Sequence, residues 1–244
     1  MNEYSFILWQ YGRIIARVNN KLQSTSSRKP ERIKALHRPA AETSGRREQA
    51  RARRRRQLID ATISCIARKG LGGMTLSDVA REAGLSQGIV NLHFNSKDNL
   101  LAETLRHLAE EYEDQFMKAL GKAPDAPAPK LLAILEMDLK PAVCDRRKLA
   151  VWFAFWGEVR AVPTYQKICQ ARDQKNQDVI EGLVSDIIHE GDYPQLDAHT
   201  VAEALAVMTD GMWLSYLVNP KTFSRAEALA AIHSTLRAFF PDHY

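Results

Sequence analysis

An all-α fold is what this sequence predicts: a small amino-terminal group of helices followed by a larger helical bundle. Three observations carry the prediction. Apolar residues recur at helical spacing, as in Leu58, Ile59, Thr62, Ile63, Ile66 and Ala67. No stretch alternates convincingly with the period of two that a half-buried strand needs. Gly70, Gly72, Gly73, Pro163, Gly191, Pro194, Asn219 and Pro220 punctuate the chain where helices would end or begin.

Taken in order, residues 1–46 read as a disordered basic extension. Lys21 to Gly45 is rich in Ser, Thr, Pro and Arg and has little apolar content to offset chain entropy. Within it, Phe6 to Trp9 with Ile14 and Ile15 could form a short amphipathic helix, weakened by Gly12. A first helix is expected from Arg47 to the glycines at 70–73. Thr75 then caps a second helix, with Asp78 as the acid of a capping box and Met74 and Val79 as a hydrophobic staple. That helix stops near Ala83, where Gly84 can take a left-handed turn. Ser86 caps a short third helix through about Leu92, and Asn95 or Ser96 caps a long fourth one reaching about Leu120. After a linker with Pro124, Pro127 and Pro129, helices are expected at about 130–140, 145–160, 163–190, 197–218 and 224–239.

The net charge of +5 conceals an asymmetry. Residues 1–56 hold 15 Lys and Arg against 4 Asp and Glu, and the remainder holds 19 against 25. A basic arm on an acidic body suits approach to a polyanion, and a solvated tail explains the charge equally well. The chain has no run of about 18 apolar residues, so no membrane span is expected, and no stretch resembles a signal-peptide core. Cys65, Cys144 and Cys169 are isolated, with no CxxC pair, and read as reduced thiols of a cytoplasmic protein. No nucleophile elbow, HExxH, Walker loop or dinucleotide fingerprint is present, so neither an enzyme nor a cofactor is expected. The seven histidines form no i,i+4 pair of the kind that holds a metal.

The segment from Thr75 to Phe94, TLSDVAREAGLSQGIVNLHF, has the spacing of a helix-turn-helix. Leu76, Val79, Ala80 and Ala83 would pack inward, and the two alanines permit a close crossing. In such a motif the start of the second helix meets base edges in the major groove. Gln87 and Asn91 carry amides able to pair bidentately with adenine. Gly88 lets the backbone come close to a phosphate or a thymine methyl. The run Arg51, Arg53, Arg54, Arg55, Arg56 falls at the start of the first helix, where positive charge opposes the helix dipole. Contact with phosphate, or contact of an arm with a groove, is the better explanation of that cost.

From about Arg53 to Leu101 these residues closely resemble the DNA-binding domain of the tetracycline-repressor (TetR) family. The matching stretches are RRRRQLIDATISCIARKG and MTLSDVAREAGLSQGIVNLHFNSKDNLL. The resemblance implies a homodimer on double-stranded DNA with a palindromic operator, and a DNA-binding domain at 47–101. It makes Ser86–Leu92 the recognition helix, Lys97 a phosphate contact, and Thr75 and Ser77 backbone contacts of the second helix. Arg54, Ser86, Gln87, Gly88 and Asn91 complete the expected DNA face. His93 stands where the family more often has Tyr, so its phosphate contact depends on the imidazole tautomer.

Residues 102–244 are expected to bind a small-molecule effector and to dimerise. LAVWFAFWGEV, from Leu149 to Val159, is apolar nearly all round and belongs inside a bundle or along a pocket. Trp152 and Trp156 share a face, and Trp213 and Tyr216 recur later, with Tyr165 between. These aromatics can be plain core. Together with the DGMWL segment, however, this half resembles the effector domain of choline-responsive repressors of glycine-betaine synthesis genes. That likeness implies a pocket of Trp152, Trp156, Tyr165, Trp213 and Tyr216 for a choline-like cation, with Glu158 or Asp210 nearby. An apolar or aromatic effector of a different operon is the alternative. Helices 163–190 and 197–218, with Ala202, Ala204, Ala206 and Gly211, are the expected dimer pair.

Overall fold

The computed structural model describes residues 40–244, with side chains from Arg46 onward. The extension at 1–39 and the short helix expected near Phe6–Ile15 lie outside the described residues. The chain divides between Arg46 and Arg47 into two units.

Among the described residues all regular structure is helical. We number the helices α1 (Ala40–Gly73), α2 (Leu76–Glu82), α3 (Gln87–Phe94), α4 (Lys97–Lys122), α5 (Pro127–Asp138), α6 (Arg146–Glu158), α7 (Pro163–Gly191), α8 (Ala198–Val218) and α9 (Arg225–Phe239). Helix α1 begins at Ala40, seven residues before the expected start at Arg47, so the run Arg51–Arg56 lies inside the helix and the dipole cost expected of it does not arise. Its end is broken at Gly70, whose φ of 73° only glycine adopts readily.

Local chemistry explains most boundaries. Thr75 accepts from the Asp78 amide at 3.1 Å, and Asp78 accepts from the Thr75 amide at 3.2 Å, closing the capping box. Met74 and Val79, the staple pair, are both fully buried. Gly84 takes φ 64° between α2 and α3. The side-chain amide of Gln57 donates to the Ala83 carbonyl at 2.8 Å, satisfying an oxygen that the end of α2 leaves free. Ser96, rather than Asn95, caps α4 by accepting from the Asn99 amide. Asn95 instead adopts φ 62°. Ser86 occupies the cap position of α3 but makes no cap hydrogen bond, so its hydroxyl is left exposed. Pro127 and Pro163 open α5 and α7, where a missing amide proton costs nothing.

Two apolar cores result. One joins α1, α2, α3 and the start of α4 around Leu58, Ile66, Val79, Val90, Leu100 and Leu105. It also takes in Val151, Trp152 and Phe155 of α6 and Tyr165 and Cys169 of α7. The other joins the end of α4 with α5 and α7–α9 around Phe116, Leu131, Ile134, Val184, Leu205 and Leu236. The boundary expected at 101–102 therefore falls inside α4, within a core shared by both halves. Trp156 packs against both cores.

Candidate functional site

The first candidate site is the outer face of α3. Gln87, Gly88 and Asn91 are exposed there, as are Ser86 before it and Ser77 on α2. No hydrogen bond engages these side chains among the described residues, so they are free to meet base edges. Leu92 adds an apolar group that is 71% exposed. It lies one helical turn beyond Gly88, and suits contact with a thymine methyl. The sequence places Leu92 at the end of the recognition helix and not among the residues expected to contact DNA. With Ile89, His93, Ala50, Arg51 and Arg54 it lines a hollow of about 490 Å³ between α1 and α3.

The arginine run divides in two. Arg55 pairs with Glu103 and stacks 5.3 Å over the Phe94 ring, and Arg56 reaches Asp60 and Glu111. Arg51, Arg53 and Arg54 stay exposed. Among the described residues Arg54 makes only a long contact, 3.4 Å, to Gln57 within its own helix. The Thr75 hydroxyl is spent on its cap, accepting from the Asp78 amide and donating to the Asp78 carboxylate at 2.8 Å. Lys69, 2.7 Å away, and that capping bond hold Asp78 well below the usual carboxylate range. Lys97 opens α4 and is half-buried. His93 is half-buried too, with Nδ1 lacking a partner. Burial, and then the charges of Arg51, Arg54 and Arg55, push its pKa down, which keeps the imidazole neutral near pH 7.

The second candidate site is a cavity of about 880 Å³ among α4, α5, α6, α7 and α8, open to solvent on the side of Gln170, Asp173, His199 and Val207. Tyr112, Asp138, Trp156, Arg172, Asp210 and Trp213 are among its walls. Trp213 is 2% exposed, and its indole donates to the Asp138 carbonyl at 2.8 Å. The Tyr112 phenol donates to the Asp138 carboxylate at 2.8 Å, and its ring meets Trp213 edge-on at 5.9 Å. Burial pushes Asp138 up to about 7, against the hydrogen bond from Tyr112. Burial likewise raises Asp210 to about 6, opposed by the nearby Arg172 charge.

The structure brings together only part of the expected aromatic set. Trp156 and Trp213 line the cavity, and Trp152 lies directly behind, 6.2 Å from Trp156. Tyr165 does not line it. That ring packs edge-on against Phe155 at 4.9 Å, in the core shared with the helix-turn-helix. Tyr216 lies elsewhere, 5.1 Å from Phe223 and 5.5 Å from the Arg225 guanidinium. Of the two acids considered, Asp210 lines the cavity and Glu158 does not. Tyr112, Asp138 and Arg172 went unnoticed in the sequence. Tyr112 sits in an acidic, outwardly polar stretch, and only the crossing of α4 with α5 and α7 turns it inward.

An exposed recognition helix joined through a common core to a bundle with a polar, aromatic cavity defines a ligand-sensing DNA-binding regulator. Residues 58–104 match the family model described as bacterial regulatory proteins, tetR family. Residues 127–241 match that of the BetI-type transcriptional repressor C-terminal domain. The chain is 30% identical over 191 residues to the HTH-type transcriptional regulator BetI of Escherichia coli, covering 78% of this chain and 93% of that protein. It is 29% identical over 178 residues to BetI of Serratia proteamaculans, covering 72% and 87%. A transcriptional regulator from Pseudomonas aeruginosa PAO1 superposes with a TM-score of 0.70 at 27% identity, over 78% of this chain and 92% of that one. One from Saccharomonospora viridis, solved in complex with choline, superposes with a TM-score of 0.68 at 22% identity, over 76% and 96%. The chain belongs to the TetR family of bacterial transcriptional regulators, with a BetI-type C-terminal domain.

Proposed function

We propose that this regulator is a cytoplasmic homodimeric repressor that sits on a two-fold operator of quaternary-amine metabolism genes and is released by a choline-like cation. The observation that carries the effector class is the cavity wall, where the rings of Tyr112, Trp156 and Trp213 stand with the carboxylates of Asp138 and Asp210. A quaternary nitrogen has no N–H to donate. It is held by ring faces, each contributing roughly 0.5–2 kcal/mol, and by negative charge nearby. Asp210, raised to about 6 and so mostly ionised at pH 7, favours a cation over the apolar effector that the aromatics alone would also accept.

The dimer surface is best supported on α8. Val207, Leu214 and Val218 are 62%, 47% and 63% exposed, and recur along one face beside the exposed Gly211. By length and composition alone α8 is apolar enough to cross a membrane, and its apolar stripe is better explained by a partner's α7 and α8. Effector binding releases DNA only if the ligand prefers a dimer whose recognition helices no longer fit the two half-sites.

Calorimetry with choline and with its uncharged isostere 3,3-dimethylbutanol tests the effector class. Choline should bind clearly better, and a gel shift on the protein's own promoter should be reversed by choline. Equal binding of the two compounds would remove the cationic reading, and no shift on any promoter fragment would remove the operator.

A further inference from the structure

Two of the three ring faces proposed for the cationic effector, those of Tyr112 and Trp156, are covered by a cation of the chain itself. The Arg172 guanidinium carbon lies 4.5 Å from the centre of the Trp152 ring, 5.0 Å from that of Tyr112 and 5.9 Å from that of Trp156. The Arg172 side chain is only 10% exposed. Its Nε donates to Asp173 at 2.6 Å, and Nη2 pairs with the same carboxylate. The remaining nitrogen, Nη1, is buried with no hydrogen-bond partner. Two further cavity-lining groups on α7, the Asn176 carbonyl oxygen and the Gln177 amide nitrogen, are buried and unpartnered as well.

A buried guanidinium normally satisfies its fork of donors. Here one nitrogen goes unserved while three aromatic rings surround the charge. The rings, rather than a full set of acceptors, hold this group in place. That is also how a donor-free cation is held. On the reading that the effector is a quaternary cation, we infer that Arg172 is the resident occupant of the aromatic site and must withdraw before the effector binds.

Two positive charges at one set of ring faces would repel each other and compete for the same contacts. Exchange of one cation for another avoids both problems and leaves the net charge of the cavity unchanged. Asp173, which is exposed, offers the departing guanidinium a partner toward solvent. Withdrawal would also break the ring contacts by which α7 holds Tyr112 of α4 and Trp152 and Trp156 of α6. Trp152 belongs to the core that carries the helix-turn-helix, so the exchange acts on the helices whose positions set the recognition face. The energy of removing Arg172 lowers the apparent affinity for the effector, as any unfavourable pre-equilibrium does.

Arg172→Met, which keeps apolar bulk and removes the charge, tests this by calorimetry on the full chain with choline, tetramethylammonium and methylguanidinium. The variant should bind these cations at least about tenfold more tightly than the unaltered protein, because no internal cation competes. Equal or weaker binding of every cation by the variant overturns the inference. If choline binds neither protein while tetramethylammonium or methylguanidinium binds the variant more tightly, Arg172 is the occupant and the choline reading fails. If the variant does not fold, NMR of the unaltered protein decides. The Arg172 side-chain resonances, shifted upfield by the rings in the free state, should move to ordinary positions on saturation with choline. Unmoved resonances, or no saturable binding, would overturn the inference.

Discussion

On the recognition face, Gln87, Gly88 and Asn91 stand exposed on a helix of eight residues. In the cavity, Asp138, Arg172 and Trp213 come from three helices and are shut away from water. The two sites hold their polar groups under opposite conditions. A solvated amide costs nothing to keep free, so the DNA face can wait with its donors and acceptors open. A buried carboxylate or guanidinium must be partnered as it waits, so the cavity pairs Asp138 with Tyr112 and covers Arg172 with rings. On the proposed reading, binding of DNA adds contacts to a ready surface, whereas binding of an effector rearranges contacts already made.

The contrast predicts different costs for substitutions in the two places. The largest should be Trp213→Ala, which empties a fully buried indole site and strands the Asp138 carbonyl. Urea unfolding should show a loss of about 3–5 kcal/mol. Asn91→Ala should leave unfolding within about 0.5 kcal/mol of the parent. A comparable loss from both would erase the distinction.

Asn91→Ala should instead weaken binding to the cognate operator by about 1–3 kcal/mol in a gel shift, with little change on random DNA. Equal weakening on both would deny Asn91 a base-reading role.

The next test uses pH. The Asp138 carboxyl, raised in the folded protein to about 7, keeps a proton that the unfolded chain releases near its ordinary value of 3.8. Its contribution to stability is therefore complete at low pH and is lost as pH rises toward 7. Between pH 5 and pH 8, Asp138→Asn should gain about 2 kcal/mol relative to the parent, since an amide has no charge to desolvate. Measuring both proteins at both pH values cancels the opposing titration of His93 and His107, which burial holds low. A constant difference would mean that Asp138 is ionised throughout.

The smallest effect is expected at Lys97→Ala, which should weaken all DNA sequences alike and reduce the salt slope by about 1. A sequence-dependent loss would move Lys97 from the phosphates to the bases.

The chain's local order determined the helices and the recognition face. The Thr75–Asp78 capping box, the Gly84 turn and the alternation of apolar and exposed positions through Phe94 act between residues a few places apart, so the pattern of residue types contains them. Of the expected DNA residues, Ser86, Gln87, Gly88 and Asn91 lie exposed on or beside α3, Arg54 and Ser77 lie exposed on α1 and α2, Thr75 has its hydroxyl engaged in the cap, and His93 and Lys97 are half-buried. The tertiary structure alone decided the cavity. Trp156 and Trp213 meet Tyr112, Asp138 and Arg172 only after α4–α8 cross, while Tyr165 and Tyr216, no less aromatic, are carried into other packing. It also decided which arginines of the run remain open, because Glu103 and Glu111, which engage Arg55 and Arg56, lie on α4. Aromatic character and charge are properties of a residue. Which ring a charge faces is a property of helix packing, set by contacts between residues tens of positions apart.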